Sequence, residues 1–593
     1  MGRTAVYGAF IRIVGGIMKL YKELCYLFDL KLKLKFVGMI FVILFGAAAE
    51  LLGVSMIMPI VTLATDPQAV ETDSYCIWIS KVTGVTETNE VLFILIVGTI
   101  GIYLLKNIYL SFMAYAMNSF SKNTRLHFAT KLMEAYMKQP YAYFLYKNTA
   151  EILRSINTDT CNMYTVIINV LQLISQGVTS MILIIFLAVS NIQMTIIVAL
   201  LLTVCAGLII FFIQKKMRRI GEEYHEVSAN IIQCSKQAFE GIKEVKIMNK
   251  ERHFIKEYHD IYHGATKLEL VYNLLSYIPK YLIESVAIGG ILGYLAVVTI
   301  RGGNLSAMVS QLAVFAVAAF RLLPSVNTLY ASFSNIAYNM VSIEQIYQDI
   351  KSVQDVDDSF IGALECEQLR FEHTIEVRNL SFTYDRSDKV ILNDVNVTIH
   401  KGESIAFIGE SGGGKTTLVD NILGILEPEK GQILVDGVNI NKIMQSWHRD
   451  IGYIPQTIFM MDDTIRRNVA FGVANEDIDD ERVWEALKEA QLEEFVKQLE
   501  YGLDTEVGES GMRLSGGQRQ RIGIARALYH DPDILVFDEA TSALDNETEK
   551  EVMAAIDGLH GSKTMIMIAH RLTTIENCDH VYRVENCILE KVR

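Results

Sequence analysis

The chain has 593 residues, a net charge of −14 and a hydrophobic content of 51%, and its mean hydropathy is +0.26. This length is enough for several domains, and so high a hydrophobic content is unusual for a soluble protein. Long apolar runs are concentrated before residue 350, whereas acidic clusters such as residues 477–481 lie after it. The net charge therefore says little about how the N-terminal part meets a membrane.

Six apolar stretches of the N-terminal part are long enough to cross a bilayer, which takes ~20 residues per helix. They are residues 36–64, 91–120, 161–189, 193–213, 279–300 and 305–330. The second and third stretches, and the fourth and fifth, are joined by long connections rich in helix formers. We expect the membrane helices to continue through these connections, because long unstructured loops are uncommon. Residues 141–148 and 239–249 lie near their midpoints and are candidate contacts with a soluble domain.

The charges of the connections predict how the chain is oriented. Lysine and arginine are frequent before the first stretch and in both long connections, whereas the connection over residues 65–90 has Lys81 as its one basic residue. Basic loops stay on the cytosolic side of a membrane. Both termini and both long connections are therefore predicted to be cytosolic, and a short external helix is expected around residues 73–82.

A phosphate-binding loop follows the apolar strand predicted over residues 404–408. The sequence Gly409-Glu410-Ser411-Gly412-Gly413-Gly414-Lys415-Thr416 fits the pattern G-x-x-x-x-G-K-[ST] between a strand and a helix. Its glycines let backbone N–H groups surround phosphate oxygens, and the following helix adds its positive end. Lys415 would pair with the β- and γ-phosphates of ATP, Thr416 would ligate Mg²⁺, and Thr417 is a further candidate contact.

A second apolar strand, over residues 534–537, ends in Asp538 and Glu539. Asp538 would hold Mg²⁺, and Glu539 would orient or deprotonate the attacking water. A third apolar strand ends at His570, which would hold the γ-phosphate and that water. Each of these residues alone could be an ordinary strand end, but their order after a phosphate loop favours ATP hydrolysis.

These residues resemble the ATP-binding cassette (ABC) family over residues 374–593. The stretch Leu514-Ser515-Gly516-Gly517-Gln518 is similar to the family signature, and the resemblance implies that it binds the γ-phosphate held by a second subunit. The resemblance also implies that Tyr384 stacks on adenine, that Gln456 links Mg²⁺ to the transmembrane contact, and that Asp545 lies in a loop at the dimer interface. One copy of each motif behind six spans resembles half-transporter exporters, which implies a homodimer.

The predicted fold is multi-domain, with an all-α transmembrane domain of six helices fused to a cytosolic α/β ATPase domain that has a P-loop core and a helical subdomain. Its expected parts are a cytosolic lead-in with an interfacial helix (1–35), the transmembrane domain (36–350), a linker (351–373) and the nucleotide-binding domain (374–593). Six spans exclude a soluble ATPase acting on DNA or ribosomes, so we expect no nucleic-acid partner.

Several ionisable residues lie inside the predicted spans, and they are Glu50, Lys106, Lys280, Glu284 and Arg321. Charges at membrane depth are costly and face a cavity or each other. Structural pairing, or snorkelling towards an interface, is the alternative to a role in transport. We take Glu50, Lys106 and Arg321 as substrate candidates, since a guanidinium can receive a phosphate group bidentately.

Residues 50–59 and 320–327 resemble the branch of bacterial exporters that flips lipid-linked oligosaccharides. The resemblance implies that the chain moves a polyprenyl-pyrophosphate glycan across the bacterial inner membrane by alternating access. Export of another lipid, a peptide or a drug is the alternative, and an ATP-gated channel or regulator is a remote one. Transport itself discriminates between them, because a regulator would hydrolyse ATP without moving cargo.

Overall fold

The computed structural model describes residue 15 and residues 18–56, 59–60, 63, 77–78, 81, 84, 87–190, 192–300, 309–352, 370–384, 387–539, 546–569 and 575–593. The chain forms two compact units. The membrane unit comprises Met1–Gln139 and Lys147–Val356, and the cassette unit comprises Pro140–Tyr146 and Asp357–Arg593. Most of the predicted external helix and linker, the side chain of Arg321, and residues Asp545 and His570 lie outside the described residues.

Long helices build the membrane unit. After a lead-in helix over residues 18–27, the helices in chain order are α1 (Leu30–Ser55), α2 (Thr88–Met137), α3 (Tyr141–Tyr146, in the cassette unit), α4 (Thr149–Arg154), α5 (Thr160–Ser190), α6 (Ile192–Glu240), α7 (Ile242–Ile247), α8 (Glu251–Ile300) and α9 (Val309–Lys351). Within the described residues, the segments long and apolar enough to cross a membrane are Leu30–Ser55, Thr88–Met137 and Thr149–Val189. The other predicted spans coincide with parts of α6, α8 and α9, and these helices continue well beyond the ~20 residues that a bilayer needs.

The first membrane helix begins earlier than its predicted span. The Asp29 carboxylate accepts a hydrogen bond of 2.8 Å from the backbone N–H of Leu32 and thereby caps α1. The helix consequently starts at Leu30 rather than Phe36, and the lead-in predicted over residues 1–35 includes its first turns. The buried residues of α1 recur every three or four positions, so one stripe packs against neighbouring helices while the other faces are exposed and apolar.

A π-helical turn, Ser155–Asp159, joins α4 to α5. Its last residue, Asp159, is fully buried. The Asp159 carboxylate lies 3.0 Å from His225 Nε2 of α6 and accepts a hydrogen bond of 2.7 Å from the Ser342 hydroxyl of α9. Such a turn shifts the side chains that follow it relative to a regular helix, and here it fixes a carboxylate between two other helices.

Two sheets form the strands of the cassette unit. These strands are β1 (Thr374–Thr383), β2 (Val390–His400), β3 (Ser404–Ile408), β4 (Lys430–Val435), β5 (Val438–Asn439), β6 (Ile451–Ile454), β7 (Ile534–Asp538), β8 (Thr564–Ile568), β9 (His580–Glu585) and β10 (Ile588–Lys591). One sheet is antiparallel with the order β2-β1-β4-β5, and the other has the order β10-β9-β3-β8-β7-β6, in which β9 to β6 are parallel. The central strands β3, β7 and β8 are buried on both faces, which explains their uninterrupted apolar sequences.

The helices of the cassette unit pack around the six-stranded sheet. They are α10 (Lys415–Ile422), α11 (Met444–Arg449), α12 (Ile465–Val469), α13 (Asp480–Glu489), α14 (Glu493–Lys497), α15 (Gly516–Leu528) and α16 (Asn546–Asp557). Helices α12 to α15 lie between β6 and β7 in sequence and correspond to the predicted helical subdomain. Their apolar residues share one core with the sheet, as Val483, Leu487 and Ile522 do with Leu535 and Phe537.

The two predicted contact segments differ in the structure. Helix α3 folds with the cassette unit, where Ala142 packs against the hydrophobic core between the two sheets. Burial raises the pKa of Tyr141, and the nearby Asp420 raises it further. The second segment, residues 239–249, forms α7 in the membrane unit and exposes its large apolar side chains there.

Candidate ATP site

The phosphate loop lies between β3 and α10. Gly409 and Gly414 have positive φ values of 145° and 101°, and a Cβ at Gly409 would lie 2.3 Å from the carbonyl oxygen of Val584. A side chain is therefore excluded at Gly409. The buried Lys415 ammonium donates hydrogen bonds of 2.9 Å to the carbonyl oxygens of Gly409 and Glu410. The loop thus surrounds a cation at the start of a helix, which is the arrangement that phosphate binding requires.

The acids after β7 lie beside this loop. Strands β3 and β7 are parallel and separated in the sheet by β8 alone, so their C-terminal ends meet at one edge. Burial raises the pKa of Asp538, and the neighbouring Glu539 carboxylate raises it further. Burial lowers the pKa of Lys415, while Glu539 and Asp538 oppose that shift. The site therefore brings together one ammonium and two carboxylates in partly desolvated surroundings.

Glu539 has an unusual backbone conformation. Its φ is 49°, in the left-handed region that a residue with a side chain rarely adopts. Its N–H donates to the carbonyl oxygen of Ile568 (3.2 Å), and its carboxylate accepts a hydrogen bond of 2.8 Å from Gln456 Nε2. Strain of this kind occurs at functional sites where the surroundings fix the residue. The predicted water-activating acid and the predicted glutamine are thus in direct contact.

Tyr384, predicted to stack on adenine, follows the end of β1. Its hydroxyl lies 3.0 Å from the Thr417 hydroxyl of α10. Its ring packs edge-on against Phe382 at a centroid distance of 5.0 Å. The structure therefore places this aromatic ring beside the helix that begins at the phosphate loop. Stacking of the ring on adenine remains a prediction.

The signature residues form the start of α15. The Ser515 N–H donates to the Gln518 side-chain oxygen (2.8 Å), and the Gln518 N–H donates to the Ser515 hydroxyl (3.2 Å). This reciprocal pair is a capping box. The sequence predicts an ATP contact for Gln518. Within one chain, its side chain instead caps the N-terminus of the helix. Ser515 is exposed and Gly517 is buried, so the N-terminus of the helix lies at the surface.

Two further groups at the site were missed by sequence reasoning. Asp420 follows Thr416 by one turn of α10, and burial together with Asp538 raises the pKa of Asp420 to about 6. Desolvation raises the pKa of Tyr453, and the nearby Asp538 carboxylate raises it further. The i, i+4 spacing after Thr416 and the position of Tyr453 three residues before Gln456 are the signals that could have identified them.

Oxygen donors suited to Mg²⁺ are present in this group. Thr416, Gln456 and Asp538 carry the hydroxyl, amide and carboxylate oxygens that this ion prefers. Since burial and the adjacent Glu539 carboxylate raise the pKa of Asp538, a divalent cation would be bound favourably there. Within the residues that the structure describes, no cluster of three His, Cys, Asp or Glu side chains could hold a metal. With Thr416, Gln456 and Asp538 as ligands, Mg²⁺ would take phosphate oxygens and water as its remaining ligands.

The membrane-unit candidates form a pair. Lys106 Nζ lies 3.3 Å from the Glu50 carboxylate, and these residues are 5% and 9% exposed. The same ammonium lies 4.3 Å from the centre of the Tyr103 ring. This contact corresponds to the structural alternative raised for both residues, and a role for either in transport remains a prediction.

Comparisons with known proteins agree with this architecture. The chain matches the family model described as the ABC transporter transmembrane region over residues 36–322, and the one described as ABC transporter over residues 392–542. It is 30% identical to an ATP-dependent lipid A-core flippase of Cupriavidus metallidurans, across 82% of this chain and 81% of that protein. A protein of the same name from Syntrophus aciditrophicus is 32% identical across 81% and 79%. A bacterial Atm1-family ABC exporter solved with ATP bound shares the fold, with a TM-score of 0.76 and 23% identity over 94% of this chain and 95% of that one.

Proposed function

Because the chain belongs to the ABC transporter family and couples ATP hydrolysis to export, we propose that two copies form a homodimer that flips a glycolipid across the bacterial inner membrane. A polyprenyl-pyrophosphate glycan is the proposed cargo. The similarity to proteins named lipid A-core flippases carries this proposal, since it extends over 82% of the chain and thus through the membrane unit. Both kinds of cargo combine a hydrocarbon anchor with a sugar-bearing head.

An apolar cavity in the membrane unit supports a lipid cargo. Its volume is about 620 Å³, and it lies between the lead-in helix, α1, α5 and α9. Small-molecule sites occupy ~300–1,000 Å³, so this cavity is large enough for part of a hydrocarbon chain. Phe28, Phe36, Leu173 and Met340 contribute to its wall, and Lys33 lies beside them. An ammonium next to a hydrocarbon-lined space suits a lipid with an anionic head.

The homodimer is proposed from two features. The chain has one phosphate loop and one signature helix, and the exposed N-terminus of α15 offers backbone N–H groups to an anion from outside the chain. Around α7 the side chains of Phe239, Ile247 and Met248 are 74%, 71% and 65% exposed. Large apolar side chains clustered on a surface mark an interaction site, and a second copy of the cassette is the proposed partner.

The residues of the ATP site have separate proposed roles. Lys415 and the loop N–H groups hold the phosphates, and Glu539, oriented by Gln456, takes the proton of the attacking water. Mg²⁺, when bound by Thr416 and Asp538, would polarise the phosphate oxygens. Loss of the γ-phosphate removes contacts between the two copies and allows the cassettes to separate. We infer cytosolic termini from the basic connections, which places this site where ATP is available.

The direct test is flipping of a fluorescent polyprenyl-pyrophosphate glycolipid in proteoliposomes. We expect ATP-dependent loss of the probe from one leaflet with the wild-type chain. The Glu539→Gln variant is the control, since it keeps the site intact but removes the carboxylate. ATP hydrolysis by the wild-type chain without flipping would reject this cargo in favour of another lipid, a peptide or a drug.

A further inference from the structure

A small polar cavity lies inside the membrane unit, next to the Glu50–Lys106 pair. Its volume is about 210 Å³, and α1, α2, α5 and α9 enclose it. Its polar lining consists of Glu50, Ser175, Gln176, Thr179, Ser325 and Thr328. Leu110, Met113 and Pro324 add apolar surface. Ser175 and Thr179 lie in the middle of the predicted span 161–189, so the cavity is at membrane depth.

Hydrocarbon does not suit this lining. Burying a polar group without hydrogen bonds is costly, and lipid tails offer none. Two further polar atoms, the Ser180 hydroxyl and the Asn327 side-chain oxygen, are buried and have no hydrogen-bond partner among the residues that the structure describes. They neighbour Thr179 and Thr328 in sequence. At the depth of the cavity, the helices therefore carry more polar groups than their mutual hydrogen bonds satisfy. This excess favours binding of a polar ligand in the cavity.

The Glu50–Lys106 pair is held at the edge of this cavity by a close helix contact. A Cβ at Gly53 would lie 3.2 Å from Lys106 Cδ and 3.3 Å from its Nζ. The absence of a side chain at Gly53 thus gives the lysine room to reach Glu50 across α1. Since the pair has no net charge, the lining residues that the structure describes offer a carboxylate and several hydroxyl groups but no unneutralised cation.

This combination distinguishes between possible ligands. A phosphate group needs cationic donors, and the ammonium at this site already faces a carboxylate. A sugar ring presents hydroxyl groups that both donate and accept, and apolar C–H faces that pack on side chains such as Met113. We propose that this cavity binds a neutral, hydroxyl-rich group, namely one sugar ring of the cargo. The assignment rests on the proposed glycolipid function and adds the place where its sugar is recognised.

Site occupancy can be measured by thiol protection. Thr328→Cys places a reactive thiol in the cavity. Ser111→Cys places one on the exposed face of α2 as the matched control. The two positions are matched because each native hydroxyl donates a hydrogen bond to the carbonyl oxygen four residues earlier. Both variants are made in the full-length chain with its eight native cysteines replaced, after its ATPase activity is verified. The probes are decyl β-glucoside and decyl tetraethylene glycol, which share a chain length and differ in the sugar.

We expect the glucoside to slow alkylation of Thr328→Cys at least fivefold, with no such effect from the tetraethylene glycol or at Ser111→Cys. Adding Thr179→Val, which keeps the side-chain shape and removes one hydroxyl, should raise the glucoside concentration needed for half-maximal protection about tenfold. Equal protection by both amphiphiles, or none by either, would overturn the sugar site. This assay measures binding and has no flipping step. A failure of glycolipid flipping would therefore reject the proposed cargo without deciding whether the cavity binds a sugar.

Discussion

Removing one charge of the Glu50–Lys106 pair should damage the membrane unit more than removing both. The two groups are 3.3 Å apart, and their side chains are 12% and 4% exposed. In Lys106→Met the carboxylate remains buried and loses the cation that faces it. In the double variant, Lys106→Met with Glu50→Leu, neither charge is left to be desolvated.

The burial of the pair determines how much stability the single variant loses. Removing one partner of a buried ion pair costs about 3–5 kcal/mol, whereas replacing both by apolar residues of similar size is close to neutral. Solvent screening reduces this cost little here, because both side chains are nearly excluded from water. Since 1 kcal/mol shifts Tm by ~2–4 °C in larger domains, a loss of about 3–5 kcal/mol should lower the Tm of the single variant by on the order of 6–20 °C.

The assay is thermal unfolding of the full chain in nanodiscs, followed by the reactivity of buried Cys234 with a fluorogenic maleimide. Cys234 lies in the membrane unit, and the other seven cysteines are replaced by serine, so that the signal comes from Cys234 alone. Lys280→Met is the matched control, because Lys280 is also a lysine in a predicted span but is exposed. A double variant as unstable as Lys106→Met, or a single variant no worse than the control, would refute the reasoning.

Three further outcomes are expected. Glu539→Gln should abolish ATP turnover while retaining ATP binding; steady-state hydrolysis at the wild-type rate would contradict its role. Tyr453→Phe removes a hydroxyl that lowers the pKa of Asp538. This pKa should then rise, so ATPase activity should be lost at a higher pH as the medium is acidified, which a pH–rate profile measures. Gly221→Ala puts a Cβ 2.0 Å from a backbone oxygen, whereas Gly264→Ala meets nothing within 4 Å, so the first alone should lower Tm clearly.

The phosphate loop and the acids after β7 were predictable because each depends on a few contiguous residues. Their meeting was predictable as well, since parallel strands end at one edge of a sheet. Asp420 and Tyr453 were not identified, because their spacings from Thr416 and Gln456 become informative only once Asp538, which is distant in sequence, is known to lie beside them.

The sequence-based predictions also differ from the structure where one pattern fits two physical roles. Ser515 and Gln518 fit both an ATP contact and a capping box, and the structure shows the second within one chain. The partner of Glu50 lies 56 residues away in sequence, so only packing could identify Lys106. The start of α1 lies before the predicted span, because the Asp29 cap is outside the apolar pattern that defines a span.

The segment Pro140–Tyr146 is joined by peptide bonds to the membrane unit at both ends, yet it folds with the cassette unit. A cassette cut out of the chain would leave this part of its core behind, and the surface that Ala142 covers would become exposed. Such a fragment should be less soluble than its composition suggests, and a synthetic peptide of this segment should bind it. In chimeric proteins the two halves therefore cannot be exchanged as separate modules, because this helix has to be inherited with the cassette it fits.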